Sequence, residues 1–447
     1  MRLSRGWARR LQWIVLAAGL ALLQTPAQTA QLPAVSSAAA TAVSRQQANA
    51  SPAYALPPDK LAKAIALGRI RNVLDIAGSI WDIVALWLLL ATRAAAWLEN
   101  CAQRISSRRW IQGSVFFAAL VVIAALADLP LSLIGHHYGR AYGISVQGWG
   151  SWFVDQAKAL GLTLGIGVPL LLLFNWFVRR WPRRYWLIAW LATLPILVAS
   201  VLVEPLLEPI FNKYEPLEKS HPALVAELKK VVARTGTNIP PERMVLMKAS
   251  EKSNGLNAYV SGIGATKRIV VWDTTAGRIP DDEVMFIFGH ESGHYVLHHI
   301  PKGLACSAIA LFFVYWSCAG FAGWLVRRLG LRWGVFDLSS RTGFIVLLFS
   351  ISLAGFLLEP VSNAFSRRLE HQADIYGQEA IHGIVADPQK TTVAAFNALG
   401  EAWLDDPNPN PFIEFWLYNH PSLQHRAEFA AHYHPWANGG HGQFFKD

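Results

Sequence analysis

The chain alternates long apolar runs with short basic and longer polar stretches. Six apolar runs cover approximately 77–98, 112–135, 158–178, 185–203, 303–326 and 342–360, each near the roughly 20 residues that cross a bilayer as helix. The pattern predicts a mainly α, polytopic membrane protein with six spans, or seven if the N-terminal segment stays as an anchor. Asp82 and Asp128 fall inside spans, where charges face a bundle interior or a cavity. Arg93 fits that reading or a snorkelling one equally well. Gly165, Gly167 and Pro169 predict a kink in the third span.

The polar stretches organise the rest. Residues 1–30 read as a signal peptide or signal anchor: Arg2, Arg5, Arg9 and Arg10, then an apolar Trp13 to Leu23, then small residues. Residues 31–58 are rich in Ala, Ser, Pro and Gln and read as a flexible linker. A membrane unit follows over 59–204. Residues 205–302 and 361–447 are polar and flank a two-helix membrane hairpin over 303–360, so they can meet as one soluble domain on one side of the membrane. The short loops carry the arginines: Arg104, Arg108 and Arg109; Arg179, Arg180, Arg183 and Arg184; Arg327, Arg328 and Arg332. Short basic loops stay in the cytoplasm. With six spans, both polar stretches then lie outside it, at a bacterial inner membrane if the N-terminal signal is an export signal.

Composition agrees. Hydrophobic residues make up 53% and charged residues 16%. The net charge of +10 sits beside apolar runs, without the basic-aromatic groove of a nucleic-acid binder. Cys306 and Cys318 are about 18 Å apart along one helix, too far to bridge.

The chemistry centres on His290-Glu291-Ser292-Gly293-His294. On a helix, i and i+4 share a face, so both imidazoles can grip one Zn2+. Glu291 lies beside the metal, placed to take a proton from the attacking water. A third ligand is expected downstream, where Glu370 and Asp374 form another i,i+4 pair. Glu370 can complete a His-His-Glu site, and Asp374 can orient a ligating imidazole. His371 competes but points away from Asp374. The pairs His136-His137 and His298-His299 are read as non-ligands, since adjacent residues do not share a helix face. Asn257-Ala258-Tyr259 opens a hairpin with Arg268 to Asp273. Its edge either holds a substrate peptide by main-chain bonds or is purely structural. His420, before Pro421, either reaches over the metal to stabilise an oxyanion or is a loop residue.

Taken in order, these motifs resemble the type I CAAX prenyl endopeptidases, multi-span membrane zinc proteases of the gluzincin type. The likeness runs from about Pro57 to Arg426. It rests on Pro209 to Leu217, Asn257-Ala258-Tyr259, Ile269 to Thr274, His290 to His299, Asn363 to Glu370 with Ala373-Asp374, and His420-Pro421 with Arg426. The resemblance implies zinc on His290, His294 and Glu370, Glu291 as base and His420 assisting the transition state. It also implies substrate backbone on the Asn257 strand, and Asn363, Arg367, Asp374 and Arg426 as surroundings of the site. The spans would enclose a chamber capped by the protease domain, which carries a small β-sheet. Eukaryotic members look like seven-span proteins facing the cytosol, whereas the arginines here argue for the opposite side. Expected substrates are therefore peptides or membrane proteins of the envelope, in quality control or processing, with the lipid bilayer as surroundings. The alternatives are an inactive zinc-fold scaffold and a metal-binding transporter. Substrate identity and oligomeric state are not legible in the sequence.

Overall fold

The computed structural model describes residues 53–446 apart from residue 263. The segment read as a signal, 1–30, lies outside the described residues. Six described helices are long and apolar enough to cross a membrane. They are α1 (Pro58–Ala91), α3 (Arg109–Ala141), the paired α4 (Trp149–Leu162) and α5 (Val168–Arg180), α6 (Tyr185–Leu207), α11 (His299–Trp333) and α12 (Arg341–Ile381). The short α2 (Ala94–Ile105) follows α1.

Three boundaries differ from the sequence reading. The run read as 77–98 is broken at Thr92–Arg93, where Arg93 turns left-handed with φ 60°. The turn lets its guanidinium donate to the Arg332 and Leu331 carbonyls at 2.9 and 3.0 Å, so Arg93 caps the end of α11. The sixth helix does not stop near 360 but runs unbroken to Ile381, so one helix both crosses the membrane and carries Glu370. The end of the stretch read as linker is packed: Tyr54 is buried and its hydroxyl donates to the Asp405 carbonyl at 2.9 Å.

The kink expected in the third span is a π-turn over Thr163–Gly167, joining α4 to α5. Asp82 and Asp128 line a cavity of about 280 Å3 with Thr92, Thr163 and Leu348. The membrane core mixes aliphatic and aromatic side chains, with Phe117 edge-on to Phe344 at 5.6 Å.

The polar stretches build one domain. Strand β1 (Tyr214–Pro216) is followed by α7 (Leu217–Ser220), α8 (Pro222–Thr235), β2 (Met244–Met247), β3 (Ala258–Ser261) and β4 (Arg268–Trp272). The sheet order is β1-β2-β4-β3, with β2 and β4 parallel and the outer pairs antiparallel. Central β4 is buried on both faces, which explains its unbroken Ile269-Val270-Val271 run. Next come α9 (Asp273–Ala276) and α10 (Asp281–Val296), then, after the membrane hairpin, α13 (Pro388–Trp403), α14 (Pro411–Leu417) and α15 (Leu423–His432). Residues Val284 to Phe288 of α10 are all buried, as an apolar-all-round segment requires.

Helix α10 lies directly on α12 because glycines remove the side chains between them. A Cβ at Gly377 would come within 2.7 Å of the His290 backbone nitrogen, and one at Gly289 within 3.1 Å of the Gly377 carbonyl. That close approach brings the two motif helices together.

Candidate active site

The His290, His294 and Glu370 side chains converge from α10 and α12. The two Nε2 atoms are 3.1 Å apart. Glu370 Oε2 is 3.3 Å from His290 Nε2, and Glu370 Oε1 is 3.5 Å from His294 Nε2. One ligand atom from each residue lies within 4.8 Å of the others. Tetrahedral zinc with bonds near 2.0–2.1 Å spaces its ligands by about 3.3 Å, so the set fits. Glu370 is buried, and its Oε2 is met only by imidazole nitrogens, His290 Nε2 at 3.3 Å and His420 Nε2 at 3.1 Å, an acceptor-rich cluster suited to a cation.

The far side of each ring is also held. Asp374 Oδ1 is 2.9 Å from His290 Nδ1. Asp374 is itself gripped by Arg426, whose Nε donates to Oδ2 at 2.9 Å and Nη2 to Oδ1 at 2.5 Å. Burial disfavours a charged His290, yet the contacts with Asp374 and Glu370 prevail and raise it to about 9. Glu291 is half-buried one position along, and its charge reaches Arg426.

His294 is held by a residue that the sequence reading set aside. His299 Nδ1 lies 3.1 Å from His294 Nδ1, and His299 Nε2 lies 3.2 Å from Gln372 Oε1. Adjacent histidines share no helix face only where one helix runs through both. Here α10 ends at Val296, His298 turns left-handed with φ 58°, and a new helix starts at His299. The break swings His299 back over His294. The apolar run starting four residues after His299 was the available hint. His371, the rejected competitor, packs on Phe429.

His420 reaches the site, with Nε2 3.1 Å from Glu370 Oε2 and Nδ1 2.9 Å from Asn419 Oδ1. Burial pushes its ring pKa down, against the pull of Glu370. Asn363 and Arg367 touch no ligand atom directly. Asn363 donates to the Trp416 carbonyl at 2.6 Å, and Arg367 to the Glu414 and Tyr418 carbonyls at 3.1 and 2.5 Å. They tie down the C-terminal end of α14, which leads into the loop bearing His420.

Strand β3 is an edge strand packed beside α10. Asn257 spends its backbone inside the fold, its N–H on Thr275 Oγ1 at 2.8 Å and its carbonyl on the Trp272 N–H at 3.1 Å. Antiparallel pairing alternates, so Tyr259 faces β4 while the N–H and C=O of Ala258 and Val260 turn outward. The Tyr259 hydroxyl donates to Glu208 at 2.9 Å. Of the three residues read as substrate-binding, only Ala258 turns its main-chain groups away from β4, and it is itself buried; the less buried Val260 was missed because pairing parity is not visible in one strand.

These features define a class, a metal-dependent endopeptidase built on a helical membrane bundle. The sequence model of peptidase family M48 matches residues 218–434, and that of the CAAX prenyl protease N-terminal region, five membrane helices, matches 41–213. The chain is 32% identical over 390 residues to the uncharacterized metalloprotease YhfN of Bacillus subtilis (strain 168), covering 85% of this chain and 88% of that one. It is 26% identical over 336 residues to CAAX prenyl protease 1 of Saccharomyces cerevisiae, covering 70% and 71%. The crystal structure of S. mikatae Ste24p shares the fold at TM-score 0.70 and 20% identity, over 93% of this chain and 98% of that chain. The chain belongs to peptidase family M48 and is an integral membrane metalloprotease.

Proposed function

We propose that this protein is a zinc endopeptidase of the bacterial inner membrane, with His290, His294 and Glu370 holding the ion and Glu291 acting as general base. The observation that carries this is the convergence of three ligand atoms within 4.8 Å around the buried Glu370 carboxylate. Zinc, when bound, polarises the scissile carbonyl and acidifies the attacking water. Glu291 takes the water's proton on its carboxylate and hands it to the leaving amine. His420 holds Nε2 over the site and, when its ring carries a second proton, donates from it to the negative charge developing on the carbonyl oxygen. Asp374, clamped by Arg426, fixes the tautomer of His290 so that Nε2 faces the ion. Ala258 and Val260 pair with the substrate backbone as an added strand.

The arginine loops lie at one end of the bundle and the metal site at the other. This supports an extracytoplasmic protease domain and, with it, processing or quality control of envelope and membrane proteins. Relatives are named CAAX prenyl proteases, but an outward-facing site would not meet prenylated cytosolic proteins.

Glu291→Gln tests the chemistry: zinc content should remain at one per chain while peptide cleavage falls at least about 100-fold. Cleavage at the wild-type rate overturns the assignment. Reporter fusions after residues 182 and 220 test the side, and a cytoplasmic reporter at 220 overturns it.

A further inference from the structure

The metal site occupies one end of α11, which begins at His299. The arginine loops gather about 50 Å away, where this 35-residue helix ends. Two of them are tied together by Arg341, whose Nη2 donates to the Arg109 carbonyl at 3.1 Å and to Gln112 at 2.8 Å.

The other junction forms a cavity of about 210 Å3. Val178, Pro182 and Tyr185 line one wall, Gly323 and Val326 another, and Phe336 the rim. Arg183 and Arg184 follow Pro182 directly and are exposed. Arg327 folds back along its own helix, its Nη1 3.5 Å from where a Cβ on Gly323 would sit, which puts the guanidinium beside a residue that lines the cavity. Asp337 also lines the cavity, but its carboxylate accepts the Ser339 N–H at 3.0 Å and the Ser339 hydroxyl. Exposed Trp176 and Trp324 flank this end, as aromatic side chains do at a membrane–water boundary.

We propose that this cavity is a binding site for the headgroup of an anionic phospholipid. Arg183, Arg184 and Arg327 surround the phosphate. Val326 and Phe336 lie against the glycerol and the first acyl carbons. Charge complementarity favours an anion, since exposed Arg183 and Arg184 follow the lining residue Pro182, Arg327 lies beside the lining residue Gly323, and the one carboxylate among the lining residues is already hydrogen-bonded. The apolar walls and the flanking tryptophans favour a lipid over free phosphate. The peptidase mechanism uses none of these residues.

The test is native mass spectrometry of the full chain in neutral detergent, with equal phosphatidylglycerol and phosphatidylcholine added. Phosphatidylglycerol should be retained in clear excess. The Arg183→Gln/Arg184→Gln/Arg327→Gln variant should lose it by about fivefold per arginine removed, while Arg104→Gln/Arg108→Gln, in the loop outside the cavity, keeps it. Should the triple variant fail to fold, Arg327→Gln alone carries the test with about a fivefold loss. Equal retention of both lipids overturns the proposal, as does unchanged retention by a folded variant. Complete displacement of the lipid by about 10 mM inorganic phosphate also overturns it, because the site would then be one for the free anion.

Discussion

His299 Nδ1 lies 3.1 Å from His294 Nδ1, and that contact decides which face of His294 is free for a metal. Gln372 Oε1 can only accept, so His299 donates from Nε2 and keeps a lone pair on Nδ1. His294 must then donate from Nδ1, which leaves its Nε2 unprotonated and turned to the site. His299→Ala should weaken zinc binding by about 10–100-fold in competition with a chromogenic chelator, without unfolding the chain. Gln372→Glu, which still accepts, should cost little. Unchanged affinity in His299→Ala would show that the tautomer is set elsewhere.

The pair of Arg426 and Asp374 carries a different expectation. Arg426→Met leaves a buried carboxylate without its cation, a loss of about 3–5 kcal/mol. The thermal midpoint should drop accordingly. Adding Asp374→Asn should recover part of the loss, because the orphaned charge is then gone. A double variant no more stable than Arg426→Met would rule out charge burial as the cause.

Edge pairing at β3 can be tested without touching the metal. Val260 does not use its N–H toward β4, so Val260→Pro should fold, as edge strands admit proline. It removes one donor from the proposed substrate track. We expect kcat/KM to fall about tenfold with zinc content unchanged. The fall should be smaller for Val260→Ala, which keeps the N–H. Equal effects of the two would point to the side chain.

Stability should vary with pH through Glu283, at the start of α10. Its Oε2 is buried with no hydrogen-bond partner. Burial, then the Asp282 charge, pushes its carboxyl up from 4.5 to about 7. A raised carboxyl means that folding favours the protonated form. Its stabilising contribution is present below pH 4.5 and is lost as pH rises to about 7. Glu283→Gln should therefore raise the melting temperature at about pH 8 and leave it nearly unchanged at about pH 5, followed by tryptophan fluorescence in detergent. Equal shifts at both values would exclude Glu283 as the titrating group.

The membrane class, the β3–β4 hairpin and the candidate ligands were legible in the sequence because each rests on local periodicity. Apolar runs near 20 residues mark spans, and i,i+4 spacing puts His290 with His294, and Glu370 with Asp374, on one helical face each. What only the tertiary structure decided depends on contacts between distant segments. Gly377 lets α12 close on His290, so two motifs far apart in the chain become one cluster. The left-handed turn at Arg93 has no local preference behind it and that at His298 only a weak one; Arg93 caps a helix end remote in sequence, and the turn at His298 swings His299 onto His294. Asn363 and Arg367 looked like surroundings of the metal but anchor the His420 loop, because helix α14 packs across them. The reactive groups are a property of spacing, whereas their orientation is a property of packing.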